Sequence, residues 1–314
     1  MPTTSRENRR RPSSPAPERT EAAELAAQMA LALGLSANTG AAYRRDVSIF
    51  ATFLSQPQRG RDLLDATRRD VLDFIAAERD RRLAPTTLSR RLMALRTFYG
   101  WLVGEGAVKN NPTEAIERPK LPRHLPDCLT EEQAAAIVSA FDGDKPLDLR
   151  NRAMMELLYA CGLRASELIS LRLDDVNLPE AMLRCIGKGS KERVVPIGQS
   201  AIGAIVRYLE AGRPALDKER GAVCLFLSSR GGKPLTRQML WNIVVEAAKK
   251  AGIWGHVHPH TLRHCFASHL LSHGAGIRPI QEMLGHADIA TTQIYTHVDV
   301  ERVLDVHRKF HPRR

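Results

Sequence analysis

No stretch of 18 consecutive apolar residues occurs in this chain, so its sequence offers no membrane-spanning helix. The start is rich in Arg and lacks an apolar run, which is not the composition of a secretory signal peptide. Aromatic residues make up only 5% of the 314 residues. Single-strand binders stack bases on aromatic rings, so that scarcity argues against such platforms and favours a duplex held through Arg and Lys. Cysteine supplies no framework either. The five present (Cys128, Cys161, Cys185, Cys224, Cys265) are odd in number, scattered and without a CxxC. They read as reduced, mostly packed thiols of a cytosolic protein. No G-x-x-x-x-G-K-[ST] loop is present, which leaves ATP hydrolysis without support. Acidic residues are outnumbered, giving a formal net charge of +11. That charge favours a polyanionic partner, with nucleic acid first, although charge alone does not separate DNA from RNA or from an anionic membrane surface.

The length suits two domains, each with its own core. Residues 1–17 are Pro-, Ser- and Arg-rich with almost nothing to bury, and read as a disordered basic tail. Residues 18–107 carry four helical patterns and no strand signal. Tyr43, Val47, Phe50 and Phe53 form one apolar stripe behind an Asn38-Thr39 cap, with Arg44 and Arg45 lying off it. Val71, Phe74 and Ile75 turn inward on the next. Leu92, Leu95, Phe98 and Leu102 form the last stripe, which leaves Arg90, Arg91 and Arg96 for another surface. A charged helix face is usually only solvated. Residues 108–127 hold four prolines and little periodicity, as an extended linker would. From 128 to 314 the pattern is mixed. A capped helix is followed by a long helix broken at Gly162, then by a second helix. AMLRCIGKGSKERVVPIG reads as a hairpin, and further helices complete the chain.

The richest stretch runs from Pro259 to Tyr295. Leu262, Phe266 and Leu270 have helical spacing, Pro259 suits a first helical position and Gly274 a stop. His260 and Arg263 then lie one turn apart beside a helix N-terminus, where unpaired N–H groups and the helix dipole favour an anion. Gly285-His286 closes the next short helix. Tyr295 sits among Thr291, Thr292, Gln293, Thr296 and His297, so it reads as presented rather than buried.

HTLRH, LGH and TTQIYTH, in that order and at these separations, resemble the three boxes of the tyrosine recombinases of the phage-integrase type. The resemblance covers nearly everything from residue 18 onward. It implies a mainly α fold with a small β-hairpin or sheet. An N-terminal four-helix core-binding domain would clamp the duplex, and a C-terminal catalytic domain would cut and rejoin it through a 3′-phosphotyrosine. It also implies Tyr295 as nucleophile, with Arg164 of GLRASEL and Arg263 on the phosphate oxygens. Lys188 of the GKGSKER turn would be the acid for the leaving 5′ oxygen. His260 would serve as base or hydrogen-bond donor, and His286 would orient a phosphate oxygen. Arg44, Arg45, Arg90, Arg91 and Arg96 become candidate DNA contacts. For Arg164 the bland alternative is an ion pair with Glu167, and Lys191 and Arg193 compete with Lys188.

No cofactor is implied, because a tyrosyl phosphodiester retains the bond energy. Six histidines between His256 and His273 beside Cys265 invite a metal reading. They lack an HExxH and a carboxylate pair, so no metal is assigned. GKGSKER, TTQIYTHV and the terminal HPRR are most similar to the Xer subgroup, which implies a cytoplasmic enzyme of chromosome dimer resolution at cell division. Its implied partners are a duplex recombination site, a second XerC-like recombinase in a tetramer on two sites, and the FtsK DNA translocase. The alternatives are an integrase of a mobile element and, in another class, a catalytically silent DNA-binding protein on the same fold. Val298, Val300, Val303, Leu304 and Val306 make a terminal apolar set. Relatives dock this segment on a neighbouring subunit, whereas the bland alternative buries it in its own domain.

Overall fold

A computed structural model of the chain describes residues 17–118, 129–187, 192–218, 221–229, 232–285 and 297–313, with backbone alone at 17–20 and 297–301. The tail read over residues 1–17 lies outside this set but for Pro17, which opens the first helix. The chain divides into two compact units, Met1–Arg123 and His124–Arg314.

The first unit contains α1 (Pro17–Ala32), α2 (Ala37–Leu54), α3 (Arg68–Asp80) and α4 (Pro85–Gly104). The cap of α2 is Ser36, not Asn38 or Thr39: the Ser36 hydroxyl accepts the Thr39 N–H at 3.3 Å. Thr67 and Asp70 cap α3 reciprocally, and Pro85 occupies the first turn of α4. The stripes meet as read. Phe50 packs edge-on against Phe74 at 5.1 Å, and the buried Tyr99 hydroxyl donates to the Leu63 carbonyl at 2.7 Å. The first half of the expected linker does not run free. Ile116 is buried in this core, and the Arg96 guanidinium donates to the Thr113 and Ile116 carbonyls at 3.1 and 2.5 Å. Residues 119–128 lie outside the described set.

The second unit is organised on α6 (Pro146–Ala160), eleven of whose fifteen residues are buried, which marks it as the central helix. Around it lie α5 (Glu131–Val138), α8 (Gln199–Arg207) with the π turn Tyr208–Gly212, and α11 (Pro259–Ser272). The remaining helices are α7 (Ala165–Ser170), α9 (Arg213–Leu216), α10 (Arg237–Lys250), α12 (Ile277–Leu284) and α13 (His297–Phe310). The expected hairpin is β2 (Met182–Ile186) against β3 (Glu192–Pro196), antiparallel, with β1 (Val176–Asn177) on the far side of β2. The register places Cys185 opposite Arg193. Two isolated bridges add to this sheet region, Arg172 with Cys224 and Leu227 with Pro234.

The end of the chain packs on its own unit. The last carbonyls of a helix lack an intrahelical donor. Those of α6 are supplied by α13 and the residue after it: His307 Nε2 donates to Ala160 at 2.8 Å and His311 Nε2 to Tyr159 at 3.3 Å. The two imidazoles stack at 4.7 Å, and Arg313 forks onto the buried Glu156 at 3.0 and 2.5 Å. These contacts hold the end of the segment on its own unit, the second of the two readings of it.

Candidate active site

Gly162 turns the chain out of α6 at φ +57°, a conformation that suits glycine; an added Cβ would also stand 2.5 Å from the Phe266 ring. Two residues later Arg164 caps α7. Its backbone N–H donates to Glu167 Oε2 and its Nη1 to Glu167 Oε1, both at 2.8 Å. The bland ion pair is therefore present, without using up the side chain, which remains one-third exposed and also donates from Nη2 to the Gly285 carbonyl at 3.1 Å.

Arg263 arrives from α11. That helix opens with Pro259 in its first turn and His258 as cap, whose Nδ1 accepts the Thr261 N–H at 3.2 Å. Arg263 donates to the Gly162 and Leu284 carbonyls, both at 2.6 Å, and lies 3.8 Å from Glu167. Burial and the Arg164 charge bring its guanidinium down to about 10, still protonated at neutral pH. His260, one turn earlier, is exposed. Partial desolvation of its ring by its neighbours, then His258, Arg263 and Arg164, lower its proton affinity, which leaves a neutral imidazole able to accept a proton.

The group at the centre is one that the motifs did not single out. Glu167 is buried and receives a third guanidinium from Arg193, with Nη1 on Oε1 and Nη2 on Oε2 at 2.7 Å each. Burial pushes this carboxyl up, but Arg193 and Arg164 outweigh it and hold it down at about 2. Three guanidiniums around one carboxylate leave two positive charges in excess, an environment built for an anion. In the sequence Arg193 is only a competitor of Lys188. It is instead 4% exposed, beneath the site rather than at a hairpin tip.

The structure brings together Arg164, His260 and Arg263. Lys188, His286 and Tyr295 lie outside the described residues, as does Lys191. His286 follows directly on Gly285, whose carbonyl Arg164 holds.

The two family models that match are "Phage integrase family" over residues 127–302 and "Phage integrase, N-terminal SAM-like domain" over residues 24–106. The chain belongs to the phage integrase family. Among curated relatives, the tyrosine recombinase XerD of Listeria monocytogenes is 42% identical over 280 residues, 89% of this chain and 94% of the relative. That of Ralstonia nicotianae is 45% identical over 281 residues, 89% of this chain and 90% of the relative. The XerH site-specific recombinase bound to a palindromic difH substrate, a post-cleavage complex, shares the fold with a TM-score of 0.69 at 21% identity, covering 91% of this chain and 83% of that one. The protein is thus a XerD-like, tyrosine-type site-specific DNA recombinase.

The five arginines read as DNA contacts sit differently in the recombinase's first unit. Arg44 and Arg45 are exposed on α2. Arg90 is paired to the buried Asp46 while keeping 42% of its side chain exposed. Arg91 is 12% exposed between Glu78 and Asp46, and Arg96 holds the 113–116 carbonyls. Burial raises the Asp46 carboxyl, although Arg90 and Arg91 pull the other way. The histidines of the 256–273 stretch disperse: His258 caps α11, and His269 lies between the Tyr159 hydroxyl and the Leu129 carbonyl. His273 reaches the Phe310 carbonyl. Among the described residues no three His, Cys, Asp or Glu side chains gather as a metal would need. Nor is any described helix long and apolar enough to cross a membrane. Cys161, Cys185 and Cys265 are buried; Cys128 lies outside the described residues.

Proposed function

We propose that this recombinase cuts duplex DNA by attack of Tyr295 on a phosphodiester, forming a 3′-phosphotyrosine and releasing a 5′ hydroxyl that later religates. The observation that carries this reading is the convergence of Arg164 and Arg263, with His260 beside them, around a carboxylate that cannot neutralise them. Each guanidinium has five N–H donors, and the contacts described above use two on each, so others remain for the non-bridging oxygens. Preorganised cations there stabilise the charge of the five-coordinate transition state, the task metal ions perform in other phosphoryl transfers. The phenol has an ordinary pKa of about 10 and needs a base, which neutral His260 supplies. Lys188 protonates the departing 5′ oxygen, and His286 holds a phosphate oxygen. The exposed Arg44, Arg45 and Arg90 meet the duplex backbone, with Arg91 and Arg96 bracing the helices behind them.

The likeness to XerD supports a role in resolving chromosome dimers at cell division, in the cytoplasm. The recombinase would work in a tetramer with a XerC-like partner on two sites, under an FtsK translocase. A suicide substrate nicked near the scissile phosphate tests the chemistry. The native protein should form a covalent adduct, in EDTA as well as without it, and Tyr295→Phe should bind duplex yet form none. Adducts from Tyr295→Phe would assign the nucleophile elsewhere.

A further inference from the structure

We propose that Arg193 is a positioning residue of the cleavage reaction: acting through Glu167 and the end of α12, it fixes where Arg164 and Arg263 present themselves to the phosphate. This rests on the reading of those two arginines as phosphate-binding groups. Arg193 lies on β3, 4% exposed, and all three of its guanidinium nitrogens are engaged. Two hold the Glu167 carboxylate side-on, and Nε donates to the Met283 carbonyl at 2.8 Å. Met283, Leu284 and Gly285 are successive residues at the C-terminal end of α12, where carbonyls lack intrahelical donors and the helix dipole is negative. Each of the three carbonyls takes a different guanidinium: Arg193, Arg263 and Arg164 in chain order. The same three surround Glu167. Arg193 is therefore the member of the set that ties carboxylate to helix end from below, leaving the other two toward the open side.

The fit is shaped as well as charged. Gly285 adopts φ +65°, and a Cβ there would stand 3.0 Å from Arg193 Cδ. Lysine, a point charge, cannot reproduce the fork plus the Nε bond. The charged or titratable groups facing Glu167 are Arg164 of its own element, Arg193 of β3, Arg263 of α11 and the Cys185 thiol of β2. The side chains that α10 buries are apolar, and the buried Arg150 and Glu156 of α6 are engaged with Leu227 and with Arg152 and Arg313.

Single-turnover cleavage of the suicide substrate, half-site binding and thermal midpoint are measured for Arg193→Lys, Arg193→Met and the double variant Glu167→Gln/Arg193→Met. Misplacing a catalytic cation by an ångström slows chemistry by about 10²-fold, so both single variants should cleave that much more slowly with half-site affinity unchanged. Arg193→Met removes the bidentate partner of a buried carboxylate, which keeps Arg164 and Arg263, and should melt early; the double variant removes the carboxylate charge as well and should recover part of the midpoint. Its cleavage should remain slow, which a merely structural Arg193 would not produce. The proposal is overturned if Arg193→Lys cleaves at the native rate, or if the double variant regains cleavage along with stability. Arg164→Ala is run alongside. Full activity there would sink the phosphate-site reading by itself, and the role of Arg193 with it.

Discussion

Mild acid should destabilise the second unit through two histidines that take no part in the proposed chemistry. His307 and His311 are 1% and 2% exposed. Each presents Nε2–H to an α6 carbonyl, and His311 Nδ1 accepts the Arg313 N–H at 3.1 Å, so a second proton on His311 would face a donor. Burial, partly offset by the Ala160 bond, lowers His307 to about 4; burial and the charge of His307 lower His311 well below its ordinary value. The unfolded chain therefore binds more protons than the folded one below the ordinary value of 6.5. Stability is fully present above that pH and declines as pH falls toward the folded value. At about pH 5.5, one unit below the unfolded value, keeping one imidazole neutral costs about 1.4 kcal/mol, and two cost about 3 kcal/mol. For a unit of this size that lowers the melting midpoint by about 6–12 °C relative to about pH 7.5. Calorimetry at both pH values, on the native protein and on His307→Gln/His311→Gln, checks this. Glutamine keeps an N–H donor and cannot titrate, so the variant should lose less than half as many degrees. An equal loss in native and variant proteins refutes the reasoning.

Three further outcomes are expected. Lys188→Ala should slow cleavage strongly, and a 5′-bridging sulfur, which leaves without protonation, should restore much of the rate; no rescue would point to Lys191 or a histidine. Gly162→Ala should lower the thermal midpoint, since a left-handed conformation costs a non-glycine residue about 1–2 kcal/mol and overpacking against Phe266 about 1–3 kcal/mol more. It should slow cleavage too, because the Gly162 carbonyl holds Arg263; unchanged cleavage would detach that bond from function. Removing residues from Asp299 onward strips the buried Val303, His307 and His311 together with Arg313, leaves the Tyr159 and Ala160 carbonyls without donors, and should unfold the second unit. A truncated protein that melts normally and loses only cooperative full-site binding would restore the neighbour-docking expectation.

What the sequence determined by itself is what short-range patterns encode. The apolar stripes of α2, α3 and α4, the break at Gly162, the hairpin β2–β3 and Pro259 opening α11 all follow from spacing within a few residues. The order of HTLRH, LGH and TTQIYTH is likewise a local pattern, and it carries the resemblance to the family to which the chain belongs. Even the cap of α2 was missed by two residues, because Ser, Asn and Thr compete for one N–H and only backbone geometry chooses among them. Tertiary structure alone decided which buried charges meet. Glu167 and Arg193 are 26 residues apart, His307 and Ala160 are 147, and Arg313 and Glu156 are 157. Periodicity shows which face of a helix is covered, but not whose orphan carbonyls or carboxylate it covers. A buried arginine and an exposed one look alike in a sequence, and their difference arises from desolvation in the folded chain. For that reason Arg193, on a hairpin strand by sequence, lies in the interior, and Arg96 is half-buried against the 113 and 116 carbonyls.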